Sequence, residues 1–401
     1  MPVKIQPMRR LWEAARKDKQ EARFFGDLRE ALEKGELKGE DFSIRQLFEN
    51  FVSDPATGAP VGRELADAWA PQLRESAPSL TALVEAGAVE TSAFSNITGQ
   101  IIYNTILNAY QDEQFVFSGM IPTVPTQFNG EKIAGMGRIG DKAEVVGENE
   151  AYPTVGINED WIQTPQTVKR GLIVPVTREA IFFDRTGLIL QRAGEVGHWL
   201  GINKEKRAID AVIDENVTTH RYNWKGTSYA TFQASTPWVN IQGSNALVDW
   251  TDVDAAEQLL AAMRDPWTGE PIMITPRHLI VTRQLLYTAR RVTRATTVQV
   301  TTPGFATSNN PTRTEAPNPI DNYEIMSSQL LADRLGTDTS WFLGDVSRAV
   351  KYMENWPMTV VQAPTNSQKE FENDIVQQYK ASERGAFSVQ EPRALIKSTV
   401  A

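Results

Sequence analysis

From about Leu188 to Ile213 runs the longest helical pattern of apolar residues in the chain. That pattern constrains the fold more than any other feature of this 401-residue chain. At 1.5 Å per residue the run makes a helix of roughly 39 Å. Thr186 precedes it, and Ile189, Ala193, Val196, Leu200, Ile209, Val212 and Ile213 share its core face. Gly194, Gly197 and Gly201, three and four apart, leave a second stripe of the same helix without side chains. Glycine inside a helix costs about 1 kcal/mol relative to alanine. Close packing or deliberate bendability is the compensation to look for.

The segments before this helix supply its companions. Val168, Leu172, Ile173, Val174 and Val176 read as a buried strand, and Ser95 to about Asp112 as a helix with Ile97, Ile101, Ile102 and Ile106 inward. Between them, Ile121–Thr177 has the texture of a long projecting hairpin. Asn129-Gly130 is a turn signal, Gly135, Gly137, Gly140 and Gly147 follow, and GDKAEVVGENEAYPTVGINEDW is polar and charged. Residues 1–50 hold 21 charged side chains, 11 basic and 10 acidic, around a narrow apolar stripe of Leu11, Ala14, Ala15, Ala22, Phe25, Leu28 and Leu32. Ser43 with Gln46 matches a capping box, and six prolines and glycines from Pro55 to Pro78 break any regular structure there. This stretch reads as an arm that completes its packing on something else.

After the aromatic hairpin RYNWKGTSYATF a second region begins near Asn245. Thr251 and Asp254 are placed to cap a helix carrying Val253, Ala256, Leu259, Leu260 and Met263, and Thr282 to cap another running through Arg291. Residues 295–322 hold seven Thr, four Pro and four Asn, the composition of a long mobile loop. Strands return in YEIMSSQLL, SWFLGD, AVKYMENW and MTVVQA. At 44.7 kDa the chain exceeds a single core, so two packed regions plus extensions are expected.

Composition excludes several chemistries. With no cysteine there is no disulfide scaffold, thiolate zinc site, iron–sulfur cluster or cysteine nucleophile. A net charge of −9 has the wrong sign for gripping nucleic acid. No apolar run approaches the length of a membrane span, and neither secretion nor membrane insertion is expected. His198, His220 and His278 stand 22 and 58 residues apart, so no helix presents a histidine pair to a metal. Gly135-Met-Gly137-Arg-Ile-Gly140, with Asp160 twenty residues on, matches a dinucleotide fingerprint. Gly147 and Pro153 interrupt the helix that this fingerprint needs, so hairpin glycines are the better reading; a nucleotide-dependent oxidoreductase is the remote alternative. Gly226-Thr-Ser228-Tyr-Ala230 lacks the last glycine of a nucleophile elbow. Neither catalytic residues nor cofactor or metal ligands are assigned.

What remains is a set of surfaces. Arg283, Tyr287, Arg290, Arg291 and Arg294 form a basic, partly aromatic stripe, better suited to a protein contact than to nucleic acid in so acidic a chain. On the hairpin, Arg138, Lys142, Glu148, Glu150, Glu159 and Asp160 are candidate salt-bridge residues between subunits.

LIVPVTREAIFFDRTGLILQRAGEVGHWLGINKEKRAIDAVI, a strand leading through a short helix (Arg178–Phe183) into a long one, and the ending FENDIVQQYKASERGAFSVQEPRALIK carry a family resemblance. Their order resembles that of the major capsid proteins of tailed bacteriophages, whose Hong Kong phage capsid fold is shared with encapsulin shells. The resemblance implies an α+β chain with an N-terminal arm (1–94, with a scaffolding role), a helix leading into the core (95–120) and an extended hairpin loop (121–177). It further implies a peripheral domain (178–244 and 363–401) with a spine helix at 188–213, and an axial α/β domain (245–362) with its mobile loop at 295–322. It implies no enzyme and no cofactor. The expected product is a virion shell of pentamers and hexamers, assembled in a bacterial cytoplasm. That shell would enclose double-stranded DNA without sequence-specific binding, with portal, scaffolding or decoration proteins as partners. Gly194, Gly197 and Gly201 would let the spine bend. An encapsulin-like compartment is the nearest alternative.

Overall fold

The computed structural model describes residues 8, 21–34, 37, 47, 90–112, 114–135, 145–148, 150–152, 160–177, 188–214, 222–265, 268–302, 312–320, 323–363 and 375–400. Ser43, Gln46, Arg138, Lys142, Glu159 and the helix expected at Arg178–Phe183 lie outside the described residues. The helices are α1 (Glu21–Glu33), α2 (Glu90–Tyr110), α3 (Val116–Met120), α4 (Leu188–Ile213), α5 (Trp250–Ala261), α6 (Leu286–Arg294), α7 (Gln329–Leu335) and α8 (Val346–Ala349). The strands begin with β1 (Thr123–Pro125), β2 (Lys132–Ala134), β3 (Trp161–Gln163), β4 (Val168–Thr177), β5 (Tyr222–Trp224) and β6 (Thr227–Tyr229). They continue with β7 (Ile241–Gln242), β8 (His278–Ile280), β9 (Thr297–Thr302), β10 (Thr312–Pro317) and β11 (Glu324–Met326). The last four are β12 (Trp341–Gly344), β13 (Val350–Gln362), β14 (Ile375–Val389) and β15 (Leu395–Ser398).

The chain divides into two compact units, of which the first takes Met1–Asp112, Lys169–Ile202 and Pro357–Glu383. Its core gathers Phe24, Leu28 and Leu32 of α1, Ile97, Ile101, Ile102 and Ile106 of α2, and Ala193 and Leu200 of α4. The strands add Val174, Val176, Met358, Tyr379 and Ala381. Within the N-terminal stretch, which was expected to pack on something outside itself, α1 packs on α2 of its own chain. Each such side chain contributes about 1.5–3 kcal/mol when fully buried, which holds a 13-residue helix that would be marginal alone. The strands run in the order β13, β14, β4, with β4 at an edge. Gly171 fits there because a Cβ would come within 2.9 Å of Ser382 Cβ and closer still to the Ala381 carbonyl oxygen. The hydroxyl of buried Tyr110 donates to the buried Glu383 carboxylate.

The second unit takes Glu113–Val168, Asn203–Trp356 and Arg384–Ala401. A five-stranded sheet in the order β11-β8-β12-β15-β7 is antiparallel at its centre, with Phe342 opposite both Ile280 and Lys397, and parallel at both edges. One face meets α5 and α6 through Val253, Leu260, Leu279, Val281, Ala289, Trp341 and Ile396. A second core joins Ala208, Ile209, Val212 and Ile213 of α4 to Phe342, Val350, Tyr352 and Phe387. A smaller antiparallel sheet, β2-β3-β5-β6, holds the hairpin base, and β1 runs parallel to β13.

Three local readings are corrected. Residues 295–322 are not a plain loop: β9 and β10 pair antiparallel, with Val300 opposite Thr314. Threonine and valine in TVQVTT are β-branched and favour a pleated strand, which the turn composition hid. The cap of α5 is Asp249, whose carboxylate accepts from Thr251 N at 2.8 Å, while Asp252 returns the bond to Asp249 N at 2.9 Å. Thr282 does not cap α6, because its hydroxyl donates to the Asp338 carbonyl at 2.7 Å.

Candidate assembly surfaces

The hairpin base is built around a turn and a buried exchange of hydrogen bonds. Gly130 adopts φ +82°, which glycine tolerates best, while Asn129 Oδ1 accepts from Thr167 N at 2.9 Å. β2 and β3 then run antiparallel, Ala134 opposite Trp161. This register explains the false dinucleotide fingerprint. Asp160 lies across the strand pair from Gly135, whose N–H donates to the Asp160 carbonyl at 3.1 Å, and a Cβ at 135 would collide with the Asp160 side chain. The Asp160 carboxylate accepts from Trp224 Nε1 at 2.5 Å and thus serves its own sheet. Lys132 Nζ sits 4.2 Å over the Trp161 ring.

Farther out, Glu148 and Glu150 are exposed, and Glu150 closes a small turn by accepting from Gly147 N at 3.0 Å. Val145 beside them is 101% exposed and Tyr152 81%.

On α6, Leu286, Ala289, Val292 and Thr293 face inward. Arg283, Tyr287, Arg290 and Arg294 fall on one outward stripe, with Arg291 beside it, and all five are exposed. Tyr287 lies between two guanidinium groups, Arg283 at 5.8 Å and Arg290 at 6.0 Å from its ring centroid. Arg291 and Arg294 occupy the last turn, where the helix dipole favours cations.

The glycine stripe of α4 has a packing explanation at one position. A Cβ on Gly197 would lie 3.0 Å from Ile106 Cα and carbonyl carbon and closer to the carbonyl oxygen, whereas on Gly194 it would meet only Thr105 Cγ2 at 3.6 Å. Gly201 is buried on the same helix. His198 stands 3.8 Å from Asp112, and Ser228 is an exposed strand residue opposite Asn223. Among the described residues no group of three or more His, Asp or Glu is placed to hold a metal ion, and no helix is long and apolar enough to cross a membrane.

Buried polar residues hold these surfaces in shape, and sequence spacing gave no sign of them. Glu205, on α4, accepts from Phe117 N at 2.9 Å and Ser118 N at 2.8 Å and so closes the first turn of α3. Asn240 Nδ2 reaches the carbonyls of Thr231, Pro392 and Leu395 at 3.0–3.1 Å. Arg334 grips Asp210 in a bidentate pair at 2.5 and 2.6 Å. Burial pushes the His278 imidazole below its ordinary pKa of 6.5 although Asp345 and Glu324 oppose the shift, and its Nδ1 accepts from Val346 N at 3.2 Å.

The model of the phage capsid protein family matches residues 162–398, more than half of the chain. The chain belongs to the phage capsid protein family. It is accordingly a capsid shell protein with the α+β phage capsid fold, a component of a virion. No curated protein matches it. Among solved structures it is similar to the capsid of an empty GTA particle, at 12% identity over 72% of this chain and 91% of the other, with a TM-score of 0.43. It is similar to a Mycobacterium phage Bobi chain at 15% identity over 71% and 89%, TM-score 0.39. It is also similar to the holo-SrpI encapsulin complex from Synechococcus elongatus at 12% identity over 72% and 88%, TM-score 0.41. Of the candidate residues, Glu148 and Glu150 lie on segment 145–152, Asp160 at the start of β3, Arg290, Arg291 and Arg294 on α6 with Arg283 in the turn before it, and Gly194, Gly197 and Gly201 on α4.

Proposed function

We propose that this capsid protein is the major head protein of a tailed bacteriophage, and that copies of it join into pentamers and hexamers tiling an icosahedral shell around double-stranded DNA. Family membership carries the reading, and the exposed apolar side chains give it a physical basis. Obligate interfaces bury some 2,000–5,000 Å² or more, which arms and hairpins reach without enlarging a core. Repeated heterologous contacts close into rings.

In this reading residues 121–177 are the extended loop that reaches a neighbour, 178–244 with 363–401 the peripheral domain, and 245–362 the axial domain near the symmetry axes. Residues 1–94 are the arm, with a scaffolding role, and 95–120 lead from it into the body. The acidic balance suits a wall that encloses DNA without adhering to it. Portal, scaffolding or decoration proteins complete the head, which assembles in the bacterial cytoplasm. Negative-stain microscopy with sedimentation of the purified protein tests this. Closed shells with five- and six-fold clusters are expected, and compact monomers at all concentrations and salts would overturn it.

A further inference from the structure

We propose that the arginine stripe of α6 is the docking surface for the acidic segment 145–152 of a second copy of this chain. The inference rests on the shell reading and names a pair of surfaces within it. Arg283, Arg290, Arg291 and Arg294 are exposed and none forms an ion pair with a described residue, although the chain carries nine more acids than bases. Like charges four apart on a helix repel, so Arg290 with Arg294 weakens α6 unless something neutralises it. The helix dipole accounts for Arg291 and Arg294 in the last turn, but not for Arg283 and Arg290. Those two flank Tyr287, which is 67% exposed. An aromatic anchor between two guanidinium groups fits a partner that offers an apolar side chain beside carboxylates.

Segment 145–152, Val-Val-Gly-Glu-Asn-Glu-Ala-Tyr, offers that set. It has two acids and no base, with Val145 and Tyr152 almost wholly in water. Copies of a chain at −9 repel one another overall, so a contact between them needs a local inversion of sign. Arg283, Arg290, Arg291 and Arg294 supply the inversion, and Glu148 and Glu150 its complement.

The test compares four full-length proteins in an assembly assay by light scattering and sedimentation: wild type, Arg290→Glu with Arg294→Glu, Glu148→Arg with Glu150→Arg, and the fourfold swap. Each reversed pair should raise the concentration needed for assembly at least about tenfold, and the swap should restore most of it. A fifth protein, Arg290→Gln with Arg294→Gln, which introduces no repulsion, should weaken assembly by a smaller factor. Circular dichroism confirms that each variant is folded. Normal assembly of both reversed pairs, or no rescue by the swap, refutes the docking while leaving the shell reading intact. Normal shells of Arg290→Glu with Arg294→Glu that have lost retained nucleic acid would assign the stripe to nucleic acid instead. A wild type that never assembles fails the shell reading itself.

Discussion

Alanine at position 197 and alanine at position 194 should move stability in opposite directions. Each replaces a helical glycine and so gains about 1 kcal/mol of propensity. At 194 the new methyl meets Thr105 Cγ2 at 3.6 Å, an ordinary contact, and the gain survives. At 197 it comes within 3.0 Å of Ile106 Cα and carbonyl carbon and nearer still to the oxygen. Those atoms are main chain in a helix whose neighbours Ile102 and Ile106 are wholly buried, so no rotamer change clears the space. Overpacking of this kind costs up to about 3 kcal/mol. After the propensity gain, Gly197→Ala should lose about 2 kcal/mol and Gly194→Ala gain up to about 1. Urea unfolding of unassembled subunits measures both, and hydrogen exchange along α2 and α4 locates the effect. If the stripe exists for bending alone, both substitutions stiffen the helix and both stabilise it. A Gly197→Ala protein at least as stable as wild type therefore refutes the packing argument.

Three further substitutions probe the remaining supports. Glu205→Ala strands one buried and one half-buried N–H group at the start of α3 and should cost about 2–4 kcal/mol, read by denaturant midpoint. Asn240→Ala leaves the Thr231, Pro392 and Leu395 carbonyls without their shared donor; a loss of about 1–3 kcal/mol is expected, and an unchanged midpoint would show that water replaces the amide. His278 has a folded pKa below its unfolded value, so the unfolded chain binds the extra proton. Its stabilising share is present above pH 6.5 and is lost as pH falls from there through the folded value. His278→Asn keeps an acceptor for Val346 N–H and should flatten that slope; an identical slope in the variant would exclude His278 as its source.

The fold was legible where one short-range rule decides it. Helical spacing gave α4, expected at about Leu188 to Ile213 and found there, because apolar residues at both ends of the run keep the same period. Asn129-Gly130 was legible as a turn, since Gly130 takes φ +82°, but not as a hairpin: it joins β1 and β2, which lie in different sheets. The ribbon β9–β10 was lost to its own composition. Thr, Pro and Asn signal turns by count, while Val298, Val300 and Thr302 signal a strand by alternation, and the count prevailed. The α5 cap was misplaced because DWTD offers three side-chain acceptors, and only geometry shows that Asp249, not Thr251, has the extended backbone of a cap. The α1 stripe was legible as apolar, but its partner was not. Periodicity reports that a face is apolar without naming what covers it, and Ile97 and Ile101 lie some seventy residues away.

The assembly surfaces were harder to read, for a reason that lies in the physics of partnership. A core residue is constrained by atoms on its own chain, so its environment has a local signature in burial and spacing. A contact between copies is constrained by atoms that the single chain lacks, so its residues look like violations; in the docking proposed above these would be Val145 and Tyr152 in water and Tyr287 beside two cations. Gly197 shows the opposite case, since it looks like a violation in sequence and turns out to be ordinary packing once Ile106 is seen beside it. The useful division among exceptional residues is therefore between those that the chain's own neighbours explain and those that they do not. Asp160 and Gly135 explain each other across β2 and β3, and Glu205 is explained by α3. Arg283 and Arg290 find no acid among the described residues to answer them, and a shell of identical copies is the setting in which an answer on another chain is always present in equal number.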